Sequence, residues 1–187
     1  ADFTFGQTNP NIDPGQSFIP SQSTVLNKVT LYIRKVGNPS DKTVHIVSDS
    51  GGDPTKTSLG SGTLQSSLVT TSYGWIDVSM STPPTLTAGT RYWIVIDSSA
   101  NSTHFYQWGL DSSDGYQNGT GKVTSSWNTG NPTWNGAGGD FNFKVWMGGV
   151  VTTMTDITIG GSAHVNTFDH GTIGAEAHGT QFTDCTI

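Results

Sequence analysis

Short runs of alternating apolar and polar residues, closed by clusters of Gly, Pro, Asn or Asp, recur over the first 147 residues of the chain. An alternation of period two sends successive side chains to opposite faces of a β-strand. Val29-Thr-Leu-Tyr-Ile33 and Trp75-Ile-Asp-Val78 alternate in this way, whereas Tyr92-Trp-Ile-Val-Ile96 is apolar throughout, the pattern of a strand covered on both sides. The pattern predicts strands near 3–5, 16–19, 25–36, 43–48, 62–69, 74–80, 91–97, 103–107, 121–127 and 140–146. The joints between them, such as Gly37-Asn-Pro39, Asp49-Ser-Gly-Gly-Asp-Pro54 and Asp111-Ser-Ser-Asp-Gly115, carry the residues that favour turns. Short strands at this spacing predict an all-β, two-sheet sandwich.

The pattern changes near Gly148-Gly149, which divides the chain into a sandwich (1–147) and a tail (148–187). The tail repeats with a period of 14: Met154 to Ile159 is matched by Phe168 to Ile173 and by Phe182 to Ile187. An even period preserves the in/out alternation of a strand. Met154, Phe168 and Phe182 would therefore face one way and stack, as would Ile159, Ile173 and Ile187. This predicts a small β-solenoid-like tail or a β-strand repeat of the kind used in assembly. The repeat breaks off midway through its third copy. The expectation is that the polypeptide continues past Ile187 or that the tail completes its core with another copy of the chain, in a homo-oligomer or filament. Phe3 and Phe5 alternate as an inserted strand would and join the tail residues as candidate assembly positions.

Composition sharpens the picture. Of 14 acidic residues 13 are Asp, and Ser and Thr number 21 and 28, so helix formers are scarce where turn and strand formers abound. A net charge of −6 disfavours nucleic acid as a partner, since phosphate binding needs a basic surface. No apolar run approaches the roughly 18 residues of a membrane span. Nineteen Phe, Tyr and Trp rings supply core volume that the scarce aliphatics do not. The single Cys185 excludes an internal disulfide, and the abundance of Ser, Thr, Gly and Asn suits an extracellular β protein.

The search for chemistry points away from catalysis. The chain has no His-Glu-x-x-His, no Gly-x-Ser-x-Gly and no cysteine pair, and one Glu offers no glutamate pair for glycoside hydrolysis. No enzyme is expected and no cofactor is required. Calcium is the ion the turns suit best, because a hard cation takes oxygen ligands from Asp and backbone carbonyls; Asp49, Asp53, Asp111 and Asp114 are the candidates. Tyr73 and Trp75, the run from Phe105 to Trp108, and Tyr116, Trp127 and Trp134 form aromatic clusters. Flat rings bind the C–H faces of sugars. Tyr116, Trp127 and Trp134, set among Ser, Asn and Gly, are the candidate carbohydrate-binding residues.

Gly15-Gln-Ser-Phe18, the stretch from Leu26 to Pro39, Asp49 to Pro54, Leu86 to Val95, Tyr106 to Tyr116 and the closing Asp140 to Val145 resemble a widespread jelly-roll module of bacterial extracellular proteins and phage structural proteins. The resemblance implies a jelly-roll sandwich without catalytic activity, on a cell surface, beside secreted enzymes or in a virion appendage. It transfers no functional residues. Two expectations follow: a non-enzymatic structural or adhesive subunit of an extracellular filament, fibre or phage appendage, and, as the alternative, a carbohydrate-binding module of a secreted protein.

Overall fold

The computed structural model describes residues 1–148; the tail positions Met154, Ile159, Phe168, Ile173, Phe182 and Ile187 lie outside the described residues. The described chain is all-β, with a single 3-10 turn at Ser66–Leu68. Its strands are β1 (Asp2–Phe5), β2 (Asp13–Phe18), β3 (Thr24–Val36), β4 (Lys42–Ser50), β5 (Asp53–Leu64), β6 (Gly74–Ser79), β7 (Thr85–Leu86), β8 (Tyr92–Asp97), β9 (Phe105–Asp111), β10 (Gly121–Thr124), β11 (Asn135–Gly136), β12 (Asp140–Phe141) and β13 (Phe143–Met147). They form two antiparallel sheets in a sandwich. The first runs β1-β9-β3-β13, with β6 and β7 also paired to β3 and β12 to β9; the second runs β11-β10-β2-β8-β4-β5.

The long strand β3 organises the first sheet. It pairs with β6 along one edge from Lys28 to Ile33, and with β13 and then β9 along the other. Its alternation sorts Val29, Leu31 and Ile33 into the core and leaves Lys28, Tyr32 and Arg34 on the outer face. From the opposing sheet, Phe18, Val44, Ile46, Ile94 and Ile96 complete a core that also takes Phe5, Tyr106, Trp108 and Phe141. Phe141 stacks on Trp108 at 4.5 Å, and Phe5 on Tyr106 at 5.8 Å.

Two devices join the sheets. The fully buried Gln16 donates to the Asp140 carboxylate at 3.0 Å and accepts the Phe141 amide at 2.6 Å, while the other Asp140 oxygen accepts the Tyr116 amide. A buried amide placed this way is satisfied at both ends, which its desolvation requires. At the opposite edge, Gly62 bridges to Met80, and a Cβ at Gly62 would lie 2.3 Å from the Ser79 carbonyl oxygen. Only glycine allows that approach.

Every predicted strand has a counterpart, with several boundaries shifted: β2 begins at Asp13, β10 ends at Thr124, and the strand expected over 140–146 divides into β12 and β13. The segment expected as a strand over 62–69 divides into the end of β5 and the 3-10 turn, because β5 begins at Asp53, directly after the Asp49 to Gly52 turn. The strand expected over 103–107 begins and ends later, at Phe105–Asp111, because Asn101 Oδ1 accepts the Thr103 and His104 amides and holds that stretch in a turn. The doubly covered strand is β8, buried from Tyr92 to Ile96. Ile94 and Ile96 face the main core. Trp93 and Val95 face outward into a second cluster with Val47 and Trp127, against which Trp134 packs. The segment between β10 and β11 thus roofs the outer face of the second sheet.

Candidate functional site

Among the described residues, the outer face of the first sheet has no such roof. On β6, Trp75 and Asp77 point outward while Ile76 and Val78 point in; on β13, Lys144 and Trp146 point outward between Phe143, Val145 and Met147. Trp75 is 46% exposed and Trp146 49%, the two most exposed indoles among the described residues. Tyr32 lies between the flanking strands and packs 5.1 Å from both Tyr73 and Trp75. Its ring covers Gly109 of the neighbouring β9, where a Cβ would come within 2.7 Å of it.

Each cation on this face sits against a ring. Lys144 Nζ is 4.2 Å from the centre of Trp75, Lys28 Nζ 4.6 Å from that of Trp146, and the Arg34 guanidinium carbon 5.1 Å from that of Tyr73. Lys28 also pairs with Asp77 at 2.7 Å, and Arg34 with Asp2 at 3.2 Å. Asp77 accepts a second bond from Thr30 at 2.6 Å, and Thr30 in turn accepts the Trp146 indole N–H at 2.7 Å. The hydrogen bonds from Lys28 and then Thr30 hold the Asp77 carboxyl below the usual carboxylate range. Burial, and then the charge of Asp2, pushes the Tyr73 hydroxyl up to about 12, so it stays protonated at neutral pH.

Beside this strip a shallow open groove of about 330 Å³ is lined by Trp75, Tyr116, Asn142, Phe143 and Lys144, with the Asp111 and Asp140 carboxylates at its margin. A second, of about 300 Å³, lies past Asp77 and Ser79 toward Gln65 and Leu68. Rings supported from behind by a hydrogen-bonded sheet are held in place, and the polar groups between them provide donors and acceptors at fixed spacing. Such a surface can hold a flat, hydroxyl-bearing ligand against its rings.

The sequence-derived sugar residues part company here. Tyr116 borders the first groove, packs edge-on against Phe143 at 5.5 Å and accepts the Ile19 amide through its hydroxyl. Trp127 is 4% exposed, and its indole donates to the Thr55 carbonyl at 2.8 Å, so it belongs to the roof and not to a solvent-facing platform. Trp134 is half-buried against Trp93. Phe5 is buried and Phe3 packs edge-on against Phe141 at 5.1 Å, both inside this chain's own sandwich, where β1 pairs with β9.

The four candidate calcium residues hold turns and side chains. Asp49 accepts the Gly52 amide and the Trp93 indole N–H; Asp53 pairs with Lys122. Asp111 accepts the Ser113 amide and hydroxyl, and Asp114 takes the left-handed conformation at φ 54°. Among the described residues, no three His, Cys, Asp or Glu side chains converge. Nor do they include a helix long and apolar enough to cross a membrane.

No protein-family description, characterised protein or solved structure matches the chain. The candidate site therefore stands on its own geometry. Tyr32 and Trp146 were not among the sequence candidates, and Trp75 was named there only as part of an aromatic cluster with Tyr73. Their signal was present: in Trp75-Ile-Asp-Val78 and Lys144-Val-Trp-Met147 the tryptophan occupies the polar phase of the alternation, where a large ring faces water.

Proposed function

We propose that residues 1–147 form a non-enzymatic jelly-roll module of an extracellular assembly (a surface filament, fibre or phage appendage) and that the module binds carbohydrate on the outer face of its first sheet. The observation that carries the binding half is the pair of half-exposed indoles, Trp75 and Trp146, on one face of a rigid sheet with Tyr32 between their strands. Large exposed rings on a supported surface are costly to leave in water and mark binding sites. The two antiparallel sheets support a jelly-roll reading, and the carboxylate, amide and hydroxyl groups in the grooves flanking β6 suit hydroxyl recognition.

A glycan array probed with the intact chain tests the reading. Binding is expected, and Trp75→Ala or Trp146→Ala should each weaken it by about 2 kcal/mol, roughly 30-fold. An array without signal, or a double variant that binds as tightly as the wild type, would overturn it.

The 14-residue register of the tail supports assembly as the second half of the reading. Phe3 and Phe5 pack within their own sandwich, and β1 is an edge strand of the first sheet, so the reading takes assembly through the tail and through edge contacts of β1. Light scattering on the full chain should find oligomers whose population grows with concentration. A chain that stays monomeric at high concentration would remove this half and leave the other standing.

A further inference from the structure

We infer that the ligand of the outer face is an anionic polysaccharide, one whose sugars carry carboxylates; this rests on the carbohydrate reading above and names its substrate class. The placement of the cations over the rings carries the inference. The chain bears −6 overall, yet the strip of β6, β3 and β13 gathers three of its eight basic residues, Lys28, Arg34 and Lys144, against Asp2 and Asp77, while Asp111 and the buried Asp140 line the adjoining groove. Lys28 and Arg34 are paired to those carboxylates. Lys144 is exposed and makes no ion pair among the described residues. Its ammonium rests on Trp75, as that of Lys28 rests on Trp146.

The position of those ammonium groups decides between ligand classes. A sugar that stacks on the ring face under either ammonium displaces that cation. A neutral sugar offers the displaced ammonium nothing better than water. A uronic acid offers its carboxylate at the edge of the same pyranose ring, so the lysine exchanges a ring contact for an ion pair while the C–H face takes its place on the indole. Discrimination is a difference between two affinities, and here the cation both obstructs the neutral ligand and receives the acidic one. The platform has room for more than one residue of a chain. Trp75 and Asp77 are two positions apart on β6, about 7 Å, and open onto the two grooves on either side.

The test uses the intact chain with polygalacturonate, alginate and hyaluronate, each beside its carboxyl-reduced neutral form, by affinity electrophoresis and titration calorimetry at low and high sodium chloride. At least one acidic polymer should bind roughly 5- to 30-fold more tightly than its reduced form, and binding should weaken with salt. Lys144→Met, which keeps the apolar stem, should remove most of that preference. Lys56→Met, on exposed β5, should leave it intact. If acidic and reduced forms bind equally and Trp75→Ala weakens both, the anionic assignment is wrong and the carbohydrate reading survives. If no polymer of either kind binds, both fail.

Discussion

Asp13 is the titratable group through which pH should reach the fold. It opens β2, is 2% exposed, and its two carboxylate oxygens accept the Ser98 amide and the Trp127 amide, each at 2.7 Å. It thereby ties β2 to the end of β8 and to the roof over the second sheet. Burial outweighs those two hydrogen bonds and raises its pKa from 3.8 to about 6, with the nearby charge of Asp97 adding to the rise. The folded chain then holds a proton between about pH 4 and 6 that the unfolded chain has released. Stability from this group is therefore greatest below pH 4, falls as pH rises through that window and is level above it. A shift of about 2.2 units at 1.36 kcal/mol each is about 3 kcal/mol. Asp140, also raised by burial, adds a slope of the same sign, so the diagnostic comparison is with Asp13→Asn, which removes only one contribution. In urea melts at pH 4, 5, 6 and 7, the advantage of wild type over the variant should shrink by about 2–3 kcal/mol, read from the extrapolated unfolding free energies. Parallel curves for the two proteins would refute the reasoning. A gap that widens with pH would show that the two backbone bonds outweigh burial.

Gly62→Ala drives a methyl group into the Ser79 carbonyl at the one bridge that joins β5 to Met80, and neither backbone can retreat without breaking it; a loss of about 2–3 kcal/mol, or roughly 6–9 °C, is expected by thermal denaturation. Asp49→Ala leaves the buried Trp93 indole N–H without its acceptor and should cost about 1–3 kcal/mol, read as a lower urea midpoint. Because both Asp49 oxygens and the Asp53 carboxylate are engaged internally, calcium and a chelator should give the wild type the same Tm; a calcium-dependent rise abolished by Asp49→Ala would restore the metal to those turns.

The strands were legible in sequence because alternation and turn chemistry are local, and β8 was recognisable as covered on both sides from its unbroken apolar run. What covered it was not legible. Trp127 and Trp134, set among Ser, Asn and Gly, read as a displayed loop, yet they form the roof because Trp93 and Val95 present an apolar surface that only a nearby ring-bearing segment can seal. The Gly15 backbone leaves space for Trp134, whose ring carbon lies 3.4 Å from where a Cβ would stand. Conversely, Trp75 and Trp146 lie in strands that read as ordinary sandwich sequence. Their meeting on one face depends on β6 and β13 both pairing with β3, a long-range register that no local pattern specifies. The candidate calcium turns show the same limit: Asp49 to Asp53 was correctly a turn, but the partner of Asp49 is an indole 44 residues away.

β13 carries half of the aromatic face, Lys144 and Trp146, and is held to the sheet along one side only, by its pairing with β3. It is also the last strand of the described residues, followed by Gly148, whose amide bonds to the Val25 carbonyl and whose carbonyl accepts the Asn27 side-chain amide. Tension applied at the C-terminal end of β13 would therefore reach Trp146 and Lys144 on the outer face before it reached the core. A polymer bound across β6, β3 and β13 as proposed would act as a strap over the strand that bears the load, so that the five residues of β13 would share in both grip and tensile strength.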